Sequence, residues 1–167
     1  MIGFVRKVPN DAAELSPPHN FRQMNSTSEL ILSAEIDAVN WTALSLIFAL
    51  TPLGQRDPCV LERTFRNSGV FCFAYLGHHL IGAGRALTDR SSYAFITGII
   101  VRPEHQRKGY GRRIMSHLVA SSGAKNHVLY SVPEMQSFYA ALGYRRMKTA
   151  MALFADPEYW HANGYIE

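Results

Sequence analysis

The chain has 167 residues, 47% of them hydrophobic and 18% charged, with a formal net charge of +4. That length suits one domain able to bury a single core, and the composition excludes a disordered chain. No apolar run approaches the roughly 20 residues that span a bilayer, no apolar stretch of a secretory signal follows Arg6 and Lys7, and two cysteines, Cys59 and Cys72, make no disulfide framework, so a reducing, cytoplasmic setting is expected.

Residues 1–28 carry Pro9, Pro17 and Pro18 without a sustained apolar period and read as a partly ordered arm. Residues 29–36 are strand-like. Asp37 is a candidate cap for a helix running to about Leu50, stopped by Pro52-Leu53-Gly54. Asp57-Pro58 starts a second helix, with proline at its first position, that reaches about Asn67. Residues 70–76 and 80–87 flank Gly77-His78-His79 and predict a hairpin. Residues 93–101 are almost continuously apolar, the pattern of a central strand buried on both faces.

After Pro103 comes a polar, glycine-containing loop and then a helix over about 110–121, with Ile114, Met115, Leu118 and Val119 at helical spacing. Residues 127–132 read as a strand and 133–142 as a short helix closed by Gly143. Residues 144–147 and 149–154 read as two last strands, and 155–167 as a tail packing on the domain. The order predicts an α/β domain over residues 29–154, a mixed sheet with helices on both faces.

The positive charge is concentrated. Arg102, Arg107, Lys108, Arg112 and Arg113 crowd one short stretch, where Gln106-Arg107-Lys108-Gly109-Tyr110-Gly111 joins the buried strand to a helix. A helix start offers unpaired N–H groups and partial positive charge, and glycines let a backbone approach an anion closely. Neither the P-loop pattern nor Gly-x-Gly-x-x-Gly fits, since Ile114 stands where the third glycine would be. Gly82 and Gly84 lie inside a strand and read as packing glycines or a bulge.

Residues 101–111, Val-Arg-Pro-Glu-His-Gln-Arg-Lys-Gly-Tyr-Gly, resemble the signature of the GNAT superfamily of acetyl-CoA-dependent N-acetyltransferases, Gln/Arg-x-x-Gly-x-Gly/Ala between a strand and a helix. Residues 137–144, Ser-Phe-Tyr-Ala-Ala-Leu-Gly-Tyr, resemble the family's second motif. The resemblance implies a central sheet of six to seven strands, splayed in the middle, with about four helices. It implies that the amides of Gln106, Arg107, Lys108, Gly109, Tyr110, Gly111 and Arg112 hold the pyrophosphate of acetyl-CoA. It implies too that Ile99, Ile100 and Val101 pair with the pantetheine arm, that Ser131 and Val132 lie on the far side, and that Phe138 packs near the coenzyme.

Acyl transfer to an amine needs a neutral amine, donors for the oxyanion and a proton or hydrogen bond for the departing thiolate; a lysine-like amine with a pKa near ~10.4 must first lose its proton. Tyr139 matches the tyrosine that the family often uses as general acid, and the backbone N–H of Ile100 or Val101 is the candidate oxyanion donor. Residues 97–100 are Thr-Gly-Ile-Ile and lack the carboxylate that many members carry on this strand, so Thr97, Tyr93 or Ser131 would have to end a water chain in its place. Glu134 reads as a first-turn helix carboxylate.

Arg56, Asp57 and Trp41 lie where such proteins shape the acceptor site, although Trp41 also reads as a packing residue. His78 and His79 lack metal-ligand spacing and Cys59 has no identifiable partner, so no metal is expected. A non-catalytic acyl-CoA-binding module is the competing reading: the missing strand carboxylate favours it and Tyr139 opposes it. A nucleic-acid-binding protein would need a basic face, which clustering at one glycine loop opposes. Neither nucleic acid nor membrane is expected as a partner, and dimers are common among proteins that resemble this one.

Overall fold

A central antiparallel hairpin organises the computed structural model, which describes residues 29–167; the arm expected at residues 1–28 lies outside the described residues. Strands β2 (Val70–Leu76) and β3 (His79–Thr88) pair across a two-residue turn at Gly77-His78. β1 (Leu30–Ser33) adds to the outer edge of β2, and β4 (Tyr93–Val101) pairs antiparallel with β3. β5 (Asn126–Val128) then pairs parallel with β4, giving the order β1-β2-β3-β4-β5. A parallel neighbour requires a crossover, and α3 (Tyr110–Ser121) is that crossover.

Alternation along the strands divides the core into two layers. Cys72, Ala74, Ile81 and Ile96 face α3 and pack with Ile114, Met115 and Leu118. A Cβ on Gly84 would come within 2.7 Å of the Ile114 side chain, so this glycine lets α3 seat on the sheet. Phe73, Leu80, Ala83 and Ile100 face the other way, under α1 (Trp41–Ala49) and α2 (Pro58–Arg66). Phe65 of α2 stacks on Phe73 with ring centroids 5.1 Å apart.

Helix starts follow local chemistry. Asp57 accepts from the amides of Cys59 and Val60, with Pro58 at the first helical position. The expected cap of the first helix moves: Asn40, not Asp37, accepts from the Ala43 amide, because Asp37 sits in a separate 3-10 turn (Ile36–Ala38) and pairs with Arg66 at 2.8 Å. The helix expected over residues 133–142 is a 3-10 turn (Pro133–Met135) continued by α4 (Gln136–Ala140). The tail carries a short α5 (Pro157–Ala162).

The strand count is corrected to five among the described residues, not six to seven. Residues 144–147 and 149–154 form no strand, and β5 stops at Val128, short of Val132. A strand needs a ladder partner as well as an apolar alternation. Here Met151 and Leu153 stand 98% and 101% exposed, with no face buried to hold a register. Among the described residues, no helix is long and apolar enough to cross a membrane.

Candidate functional site

The site begins where the sheet stops being complete. β5 pairs with β4 only through Tyr93↔Asn126, Ala94↔His127 and Phe95↔Val128. Beyond Phe95, β4 keeps β3 as its neighbour and, among the described residues, has no strand on its other edge. Ile99, Ile100 and Val101 lie on this open stretch, Ile100 and Val101 with buried side chains that anchor the strand. Opposite Gly84, β4 carries two residues, Gly98 and Ile99, because Ala83 pairs with Ile100 while Arg85 pairs with Thr97. Gly98 holds φ +65°, the left-handed geometry that such a bulge needs and that glycine adopts without strain. The bulge re-aims the strand at the point where β5 leaves it.

The loop that follows is tied to β4 by Gln106, whose Nε2 donates to the Val101 carbonyl at 2.9 Å. The backbone amide of Gln106 donates to Pro103, so the run of unengaged amides begins one residue later than the sequence reading places it. Among the described residues, none of the amides of Arg107, Lys108, Gly109, Tyr110, Gly111 and Arg112 has a protein acceptor; the next, Arg113, donates to the Gly109 carbonyl at 3.1 Å. Arg107 (φ +60°) and Gly109 (φ +83°) are left-handed, alternating with extended Gln106 and helical Tyr110. Such alternation gathers successive N–H groups into an anion-binding concavity, and it lies on the N-terminus of α3. A Cβ on Gly109 would meet nothing within 4 Å, so the space beside this residue is open.

The five basic residues divide. Arg102 pairs with Glu104 at 2.8 Å, and the Arg113 guanidinium donates to the Leu30 carbonyl at 3.4 Å. Arg107, Lys108 and Arg112 are exposed and have no carboxylate within ion-pair distance among the described residues.

Phe138 reaches this loop: its ring would lie 3.4 Å from a Cβ on Gly111. Tyr139 packs edge-on against Phe138 at 5.0 Å and lies 6.1 Å from Tyr144. Burial, and secondarily Tyr144, pushes the Tyr139 hydroxyl up to about 12, so it stays protonated at neutral pH. Ser131 and Tyr139 line a cavity of about 660 Å³ with Leu129, Tyr130, Tyr144 and Tyr165. No residue of the amide loop lines that cavity. The structure thus joins Ile99, Ile100, Val101, the loop and Phe138 on one side of the α4 motif, and brings Ser131 and Tyr139 together on the other.

Other sequence candidates fall into place. Trp41 packs on Phe65 and Phe73 at 5.8 Å each, in the core under α1 and α2. Arg56 and Asp57 are exposed, and the Ser45 hydroxyl donates to the Arg56 carbonyl, tying that loop to α1. Thr97 is partly buried opposite Arg85, Tyr93 and Glu134 are exposed, and His78 lies exposed in the hairpin turn. Sequence reasoning passed over two features. One is Arg85, legible as the only charge between Leu80 and Leu87. The other is the aromatic group Phe95, Tyr130, Phe154, Trp160 and Tyr165, whose members come from three separated segments and carry no local signal.

Residues 36–144 match the Acetyltransferase (GNAT) family. The chain is 25% identical over 119 residues to the GCN5-related N-acetyltransferase 1, chloroplastic, of Arabidopsis thaliana, covering 68% of this chain and 60% of that one. It is 30% identical over 109 residues to the serotonin N-acetyltransferase 2, chloroplastic, of Oryza sativa subsp. japonica, covering 61% and 54%. It therefore spans little more than half the length of these relatives. A solved GNAT-family acetyltransferase of Streptococcus pneumoniae superposes with a TM-score of 0.62 at 20% identity, over 75% of this chain and 95% of that one, a likeness of fold.

Proposed function

From the premise that this chain belongs to the GNAT family of acetyltransferases, we propose that it transfers an acetyl group from acetyl-CoA to a primary amine of a small molecule or protein, by direct attack in a ternary complex. The observation that carries this reading is the run of six amides, 107–112, unengaged among the described residues, on the N-terminus of α3 and beside the edge of β4 that no described strand covers. Those amides, with Arg107, Lys108 and Arg112, would hold the coenzyme's pyrophosphate by charge-assisted hydrogen bonds. The backbone of Ile99, Ile100 and Val101 would pair with the pantetheine arm, Phe138 would pack near the coenzyme, Ser131 would line the far side, and an amide of Ile100 or Val101 would meet the oxyanion.

Tyr139 is assigned to the leaving thiolate. A hydroxyl near 12 is a weaker acid than a thiol near ~8.5, so it would stabilise the departing sulfur by a hydrogen bond and keep its own proton. With no carboxylate at residues 97–100, the amine would lose its proton to water ordered by Thr97, Tyr93 or Ser131. The two named relatives are N-acetyltransferases, which supports turnover over a purely binding role. The proposal includes a reducing, cytoplasmic setting, compatible with the free thiols of Cys59 and Cys72, and a homodimer, to be checked by sedimentation.

The test is calorimetric titration of acetyl-CoA followed by thiol release with an amine panel. Gly111→Glu sets a carboxylate against the diphosphate and should weaken coenzyme binding at least about 100-fold. Unchanged affinity in that variant, or coenzyme binding with no thiol release across the panel, would count against acetyl transfer at this loop.

A further inference from the structure

Inside the sheet, on the α1 and α2 face, sits a cation without a counter-ion among the described residues. Arg85 of β3 is partly buried, and its guanidinium makes one hydrogen bond among the described residues, from Nη1 to Ser68 Oγ at 3.2 Å. Ser68 in turn donates to the Thr64 carbonyl. Five N–H donors are available on a guanidinium, so most of its capacity is unused. No carboxylate lies within ion-pair distance among the described residues. Burial lowers its pKa and only Tyr130 acts the other way. A desolvated charge is retained at a cost unless something pairs with it.

Its position says what could pair with it. A Cβ on Gly98 would lie 3.7 Å from Arg85 Nε and 3.7 Å from Phe48 Cζ, so the side chain crosses β4 at the bulge. That is where the strand parts from β5, just before the stretch proposed to hold the thioester. Phe48 and Gly98 flank it, and Tyr130, which packs at a tilt on Phe95 with ring centroids 5.6 Å apart, stands on the β5 side. We propose that Arg85 binds a carboxylate on the acceptor, so that the acetylated amine belongs to an amino-acid-like molecule with a free carboxylate. The inference rests on the acetyl-transfer reading for the identity of the occupant. A single planar fork with one charge matches one carboxylate bidentately.

The test avoids the acceptor's own amine titration by using products. N-acetyl derivatives of glycine, leucine and phenylalanine, each beside its neutral primary amide, are titrated calorimetrically into the protein saturated with CoA, which occupies the loop. At least one acid should bind about 10- to 100-fold tighter than its amide, the scale of a hydrogen bond to a charged group. Arg85→Gln should bring that ratio near one without changing CoA affinity, and Arg85→Lys should lower it in part. Ser68→Ala, which removes the internal bond and keeps the cation, should leave it. Acids bound no tighter than their amides in the wild type, or a preference that survives Arg85→Gln, would overturn the proposal. Failure of CoA to bind counts against the acetyl-transfer reading alone, and the acid-to-amide ratio is then read on the protein without it.

Discussion

The two sides of the gap where β5 leaves β4 are built by different physics. On one side β4 is buried on both faces, held by the β3 ladder, by α3 through Ile96 and by α1 through Ile100. On the other, β5 is three residues long, and the chain past Gly143 is held by ring contacts: Trp160 on Phe154 at 4.1 Å, Trp160 on Tyr165 at 4.8 Å, Tyr130 on Trp160 at 5.6 Å. Backbone ladders and buried aliphatic side chains fix position closely, whereas edge-exposed rings leave the backbone groups of residues 144–154 without strand pairing. The amide loop hangs from the rigid wall through Gln106. The unengaged amides are therefore preorganised on the β4 side, while Tyr139 and Ser131 belong to the more loosely braced side.

Substitutions can break that contrast. Ile96→Ala, on the rigid wall, should cost about 2–5 kcal/mol by chemical denaturation, since the side chain is 1% exposed and its removal leaves a cavity. Tyr139→Phe should lower kcat by about 10- to 100-fold, the weight of one hydrogen bond to a charged group, with little change in acetyl-CoA affinity. An unchanged kcat would remove Tyr139 from its assigned role.

The same variant has a pH signature. Tyr139 releases its proton near ~10 when unfolded and at about 12 when folded. Below pH ~10 both states hold the proton and the residue adds no slope. Between the two values the folded state keeps a proton that the unfolded state has released, so stability falls as pH rises. Tyr139→Phe should flatten that alkaline slope. Smallest of all, Met151→Ala and Leu153→Ala should change stability by no more than about 0.5 kcal/mol in the monomer. A loss comparable to that of Ile96→Ala would mean that these side chains are covered in solution.

The difference between the walls also marks what could be read from residues alone. β2, β3, β4 and α3 are legible because their signals are local and agree: alternation, a turn at Gly77-His78, proline after Val101, helical spacing of Ile114, Met115 and Leu118. The loop was legible as chemistry because glycines and cations cluster at a helix start, although the engagement of the Gln106 amide depends on the 3-10 turn over Pro103–His105. Residues 144–154 show the limit. Met147, Thr149, Met151 and Leu153 alternate as in a strand, but pairing depends on a neighbour that β5 is too short to provide. Arg85 was visible as a charge in an apolar run, yet its lack of a counter-ion among the described residues is a three-dimensional fact.

Amide-resolved NMR tests the central claim most directly. Titration of CoA into the ¹⁵N-labelled protein should move the amide resonances of Arg107, Lys108, Gly109, Tyr110, Gly111 and Arg112 most strongly, followed by Ile99 to Val101, with residues 144–154 changing least. Saturable binding that leaves the amides of 107–112 unmoved would contradict the account.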